Sequence, residues 1–328
     1  MDQHEVQRTI LVLGAGRSGT SAIARGLAAL GVYLGDRWVK PNQKENPRGY
    51  FEDDDLRRIN DELLTAAGSS NMSLHLRPPA SVPLAIRESL KQQAQLLIRS
   101  RYGGHPLWGY KDPRTVLTLA FWQELLRQEN YEDAYVIALR NPLSVAASLA
   151  KIDAGFDVRR SCIFWLLRST AAVTGIRDRP CVVVNYDTLL ADPPGQLRRV
   201  ANALSLPWTP SVAQSVNAYA EEFLAPDLRH ISYGLQELHN HPAVPPVVYR
   251  VYESMAAMAD DRCSPTDAQV QALWMQINRE IEDFGPLLEY CQDLETQLGR
   301  HISQTSAAPG VLHQIERKLQ HRIRQWLR

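Results

Sequence analysis

The chain has 328 residues, 45% hydrophobic and 22% charged, with 36 Lys plus Arg against 36 Asp plus Glu. This is a globular composition. It excludes disordered, collagen-like and disulfide-scaffold chains, and zero formal net charge removes any bulk electrostatic drive onto nucleic acid or an anionic membrane. Cys162, Cys181, Cys263 and Cys291 show neither CxxC nor metal-ligand spacing, which predicts reduced thiols, no metal and a cytoplasmic chain. The first residues do not have the layout of a signal peptide, and no run reaches the roughly 20 apolar residues a membrane helix needs.

In chain order, residues 10–13 (ILVL) read as a buried parallel strand stopped by glycine. The alanine- and leucine-rich run after Gly19 reads as a helix ending at Gly31. A polar loop leads to helices predicted over residues 54–67 and 84–100, and PLWGYKDPR predicts a short strand ending near Lys111. Residues 134–139 (AYVIAL) form a second clear strand, followed by Asn141 as N-cap and Pro142 at the first helical position. Residues 181–184 (CVVV) give another strand, with a helix starting near Pro194. This rhythm predicts an α/β fold with a central parallel sheet flanked by helices, and ligands bind at the carboxyl ends of such strands. From about residue 245 no strand is convincing. Residues 265–302 read as helical with an interruption at Gly285-Pro286, and residues 311–328 as a basic amphipathic helix.

Polar clusters fall at the strand ends. The first, GAGRSGTS from Gly14 to Ser21, is an anion cradle: small residues let backbone N–H groups converge, and the helix N-terminus adds positive potential. Three ligand readings compete with a plain tight turn. Gly14, Gly16 and Gly19 satisfy the dinucleotide fingerprint, with Asp36 as ribose acid, which would make an NAD(P)- or FAD-dependent oxidoreductase. Walker A fails because Thr20 stands where its Lys belongs. Arg17 with its following hydroxyls suits a bulkier phosphosulfate. In the second cluster, Arg140 ends a strand and Ser148 lies two turns into the next helix, so the pair can hold one phosphate.

At this point the chain resembles the sulfotransferases that use 3′-phosphoadenosine 5′-phosphosulfate (PAPS). Arg17-Ser18-Gly19-Thr20-Ser21 looks like their 5′-phosphosulfate loop. Arg140-Asn141-Pro142 with Ser148 is similar to their 3′-phosphate site, and Tyr186-Asp187-Thr188-Leu189-Leu190-Ala191-Asp192-Pro193 to the segment beside the adenine. Two features of the cytosolic small-acceptor members are missing: a Lys-Thr-His segment, replaced here by Lys111-Asp112-Pro113-Arg114, and a late glycine-rich phosphate loop. The chain therefore looks closer to bacterial and carbohydrate-type members. The resemblance implies a P-loop-like three-layer domain over residues 1–245 and a helical C-terminal extension over 246–328. It also implies sulfuryl transfer from PAPS to the hydroxyl of a carbohydrate, glycolipid or other metabolite, releasing 3′,5′-adenosine bisphosphate without a metal.

The same resemblance places the catalytic base after the first loop and helix, where Glu45 and Glu52 stand, and Glu52 is preferred. Asp112 is next, Lys111 is expected to steady the sulfuryl oxygens, and His75 and His105 are weaker candidates for the base. Arg229 is a candidate for a late phosphate contact. The C-terminal helices are expected to pack on their own domain, on a second subunit or at a peripheral surface. A nucleotide-binding module without catalysis is the non-enzymatic alternative.

Overall fold

The computed structural model describes residues 7–42, 49–74, 81–153, 155–176, 178–224 and 232–306. Glu45, His75, Arg229 and the segment 311–328 lie outside them. Strand β1 (Arg8–Leu13) is followed by α1 (Thr20–Ala29), α2 (Asp54–Ala66) and α3 (Leu84–Arg101). Next come β2 (Leu107–Lys111), α4 (Thr115–Gln128), β3 (Glu132–Leu139), α5 (Pro142–Leu149) and α6 (Val158–Ile176). Then follow β4 (Cys181–Asn185), α7 (Tyr186–Ala191), α8 (Pro193–Ala203), α9 (Pro210–Ala218), a π-helical turn at Tyr219–Phe223, α10 (Leu235–Asn240), α11 (Pro246–Ala259) and α12 (Ala268–Ser306).

The strands form one parallel sheet in the order β2-β1-β3-β4. The chain runs outward from β1 to β2 and then returns to the other side of β1 for β3 and β4. The strand order thus reverses between β1 and β3, the position at whose carboxyl ends open α/β sheets bind their ligands. Val12 on β1 pairs with Lys111 on β2 and with Val136 on β3, so the loops after all three strands emerge side by side.

Alternation along the strands divides the core. Ile10, Val12, Val136, Ala138, Val182 and Val184 pack with Ile23 and Leu27 of α1 and Leu197 and Val200 of α8. The odd positions, among them Leu11, Leu13, Tyr135 and Ile137, are fully buried on the other face, where α4, α6 and α11 lie against β3 or β4. The result is the α/β three-layer arrangement expected, with a helical C-terminal region.

Helix starts follow local chemistry. Asn141 Oδ1 accepts from Leu143 N at 2.9 Å with Pro142 in the first turn, as expected. Asp53 accepts from the backbone N–H groups of Asp55 and Leu56 and starts α2. One feature differs from the expectation. Helix α12 runs through Gly285-Pro286 without interruption; Pro286 is exposed there, so water can satisfy the carbonyl its ring leaves unbonded. The chain divides into two compact units, Met1–Glu282 and Asp283–Arg328, and within the first α11 buries Val248, Val251 and Met255 and packs against β4 and α6. Among the described residues no helix is long and apolar enough to cross a membrane.

Candidate active site

The loop after β1 leaves the sheet pressed against its neighbour. Gly14 has φ +139°, and a Cβ there would come within 2.9 Å of the Ala138 carbonyl on β3. Gly19 has φ +86°, and a Cβ would overlap the ring of Tyr186 at the end of β4. Arg17 itself takes a left-handed backbone, φ 71°, a strain of about 1 kcal/mol that persists where surroundings fix it. The first turn of α1 has no side-chain cap, so its backbone N–H groups give the loop a positive floor. Ser18 is fully buried and its hydroxyl has no hydrogen-bond partner among the described residues, while Thr20 beside it is buried.

Arg17 and Arg140 meet over this loop. Arg140 donates to the Arg17 carbonyl at 3.1 Å and its guanidinium lies 4.8 Å from the centre of the Tyr186 ring. Arg17 Nε donates to Ser148 Oγ at 2.9 Å. A hydroxyl that accepts one bond keeps its own O–H for another acceptor, so Ser148 can serve Arg17 and an anion together. Burial lowers the Arg140 pKa from its ordinary value, and the Arg17 charge presses the same way, against Tyr186 and Asp187. Ser21 Oγ donates to the Tyr50 carbonyl at 3.1 Å and ties the segment before Glu52 to the start of α1.

On the other side of β1, Glu52, Lys111 and Asp112 come together and all three are buried. Lys111 Nζ lies 2.6 Å from Glu52 Oε1. The Arg114 guanidinium lies 3.4 Å from Glu52 Oε2, 2.9 Å from Asp112 Oδ1 and 2.5 Å from Asp61 Oδ1. Asp112 also accepts from Arg114 N at 2.9 Å and from Asn60 Nδ2 at 2.9 Å, so both its oxygens are engaged. Burial raises the Asp112 pKa, and Glu52 adds to the rise against Arg114 and the hydrogen bonds. Asn60 in turn accepts from Thr118 and Trp122.

Several residues here carry no signal that singles them out in the sequence. Arg114 sits inside the KDPR segment, but nothing in that segment marks it as the hub of three carboxylates. Asn60 and Asp61 are ordinary polar helix positions until α2 packs on α4. Trp38, 47% exposed, meets Phe51, and Phe51 meets Phe223, both edge-on at 5.3 and 5.5 Å, an aromatic wall beside the Tyr50–Glu52 segment. The pairing of Val39 N with the Glu52 carbonyl and of Asp54 N with the Arg37 carbonyl aligns that wall.

Asp36, the ribose-binding acid of the dinucleotide reading, instead pairs with Arg101 at 2.7 Å, and Arg101 also holds Asp53 and Asp55. His105 stacks on Tyr33 before β2 begins, at the end of the strand opposite Lys111. Among the described residues no group of three or more His, Cys, Asp or Glu is arranged to hold a metal ion.

A model of the sulfotransferase family matches residues 9–210, from the start of the sheet to the end of α8 and beyond. Among solved structures, the sulfotransferase domain of the olefin synthase of Synechococcus PCC 7002 aligns at 15% identity over 85% of this chain and 96% of that one, with a TM-score of 0.41. The sulfotransferase STF1 of Mycobacterium tuberculosis H37Rv aligns at 15% identity over 75% and 76%, also with a TM-score of 0.41. The sulfotransferase domain from the curacin biosynthetic pathway aligns at 15% identity over 83% and 98%, with a TM-score of 0.40. No curated protein matches the chain.

Proposed function

The chain belongs to the sulfotransferase family and is a sulfotransferase, and from that premise we propose that its donor is PAPS and its acceptor a hydroxyl group of a carbohydrate, glycolipid or other small metabolite. The observation that carries this reading is the bond from the Arg140 guanidinium to the Arg17 carbonyl, which brings the two arginines, and Ser148 on Arg17, together at the carboxyl ends of β1 and β3. The Ser18 hydroxyl, buried without a partner among the described residues, is the kind of donor that a tetrahedral oxyanion would satisfy. The residues present therefore fit a doubly anionic nucleotide better than a neutral or cationic ligand.

PAPS supplies the sulfuryl group and leaves as 3′,5′-adenosine bisphosphate. Arg17, Ser18, Thr20 and the first N–H groups of α1 hold the anion at the reacting end and stabilise the charge that develops as the bond to sulfur breaks. Arg140 and the O–H of Ser148 hold the second phosphate. Tyr186, buried against Gly19, shapes the wall beside the base, and Trp38 with Phe51 and Phe223 offers aromatic faces on which a purine can stack.

Glu52 takes the acceptor's proton, which makes the hydroxyl a better nucleophile. Lys111 and Arg114 flank its carboxylate and fix its direction. Asp112 is less suited to that role because it accepts three hydrogen bonds, from Asn60 Nδ2, Arg114 N and the Arg114 guanidinium, against two for Glu52. Lys111 is the cation closest to the proposed base, placed to steady sulfuryl oxygens as well.

Calorimetric titration tests this directly. The wild-type protein is expected to bind 3′,5′-adenosine bisphosphate and not NAD or NADP, and Arg17→Ala and Arg140→Ala each to weaken that binding. Unchanged affinity in both variants would remove the proposed donor site.

A further inference from the structure

The second compact unit, Asp283–Arg328, includes the C-terminal part of α12, whose side chains are described as far as Leu298. Phe284, Leu287, Leu294 and Leu298 are all between 45% and 62% exposed, and Cys291 is exposed as well. These five residues are spaced three, four, three and four apart. That is a 3.5-residue period, the mark of a helix seam that stays against a partner as the two wind round each other. Phe284, Cys291 and Leu298 occupy the first core position of each heptad, and Leu287 and Leu294 the second.

We propose that this stripe is the seam of a parallel, two-stranded coiled coil formed with a second copy of the chain. Leucine at the second core position favours two strands. The flanking positions permit self-pairing. In the parallel register Asp283 faces Leu288 of the other copy and Tyr290 faces Glu295, so no acid opposes an acid across the seam. Glu289 and Asp293 lie on the outer positions. Covering five side chains that are about half exposed removes on the order of 500 Å² from each copy, about 1,000 Å² in all, which reaches the size of a specific interface. An anionic lipid surface is a poorer occupant, because residues 280–299 contain six acids and no Lys or Arg.

Cys291 makes the register testable. In a parallel seam its two copies face each other across the axis, within the roughly 6 Å between Cα atoms that a disulfide spans. The other three cysteines are buried or half-buried in the first unit. The full-length wild-type protein is expected to sediment as a dimer and to form a covalent dimer under mild oxidation, and Cys291→Ser to remain a dimer but lose the cross-link. The double substitution Leu287→Glu with Leu294→Glu, at exposed positions that leave the fold intact, is expected to sediment as a monomer. A wild-type protein that stays monomeric at the highest concentration reached, or a double variant that still dimerises, overturns the seam. A wild-type dimer in which mild oxidation forms no Cys291 cross-link overturns the parallel register.

Discussion

The two sides of β1 handle charge in opposite ways. Toward β3, Arg140 donates to the Arg17 backbone carbonyl, and Arg17 donates to the Ser148 hydroxyl. Toward β2, Lys111 and Arg114 lie among the carboxylates of Glu52, Asp61 and Asp112, and Asp61 also pairs with Arg57. The first arrangement brings two guanidinium-bearing residues to the loop after β1. The second is a network of ion pairs whose energy goes into holding side chains in place. Val12 is in register with Lys111 on one side and Val136 on the other, and Arg140 follows four residues after Val136, just past β3. A sulfotransferase needs both kinds of site: one to carry the leaving nucleotide, and one to present a proton acceptor in a fixed direction.

Substitutions on the two sides should therefore fail differently. The largest effect is expected for Arg17→Ala, which removes the cation proposed for the reacting end. Turnover should fall by about 10³-fold, measured as sulfated product from PAPS with any acceptor found by screening. Glu52→Gln keeps the shape and removes the proposed base. It should lower kcat by roughly 10²-fold while the affinity for 3′,5′-adenosine bisphosphate stays at the wild-type value; a parallel loss of affinity would merge the two sides into one. Arg140→Met should weaken that affinity by about 50-fold, the loss of a charge-assisted hydrogen bond of roughly 2 kcal/mol, with little change in thermal stability.

Asp112→Asn is expected to act on stability rather than on nucleotide binding. Its carboxyl is held above the usual range by burial and by Glu52, so the folded protein binds a proton that the unfolded chain has already released. Stability from this group is therefore present below the ordinary carboxylate pKa of about 4 and is lost as pH rises through the raised value. Thermal melting across that window should show this slope in the wild type and a flatter one in Asp112→Asn. The smallest effect is expected for Asp36→Asn. Asp36 is an exposed partner of Arg101, so nucleotide affinity should stay unchanged; a marked loss would point back to the dinucleotide reading of the first loop.

How much was legible depended on how local each signal was. The four strands are short apolar runs that stop at glycine or polar residues, and all four lie where the pattern puts them. The Arg17 loop and the Arg140-Asn141-Pro142 turn are readable because each is one strand end plus one helix start. Helices α4 and α6 were not anticipated, since their faces are buried on several sides and their apolar pattern is nearly continuous. The network around Arg114 was legible only in part. Lys111 and Asp112 stand out as charged residues near a strand end and Glu52 through the family resemblance, whereas the partners Asn60 and Asp61 come from another helix and depend on tertiary packing. Ser148 is a similar case: its distance from Arg140 was visible, but its bond to Arg17 required the fold.

The contact between Gly19 and Tyr186 has a genetic consequence. The glycine lacks a side chain where the tyrosine ring lies, although 167 positions separate them and each belongs to a different strand end. Neither residue can vary alone. A methyl group at position 19 demands that the ring be shortened or moved, and a smaller residue at 186 leaves a hollow over the loop that only a larger residue at 19 could fill. The two segments should drift through sequence space as a pair, and a second-site suppressor of Gly19→Ala is to be sought first at Tyr186.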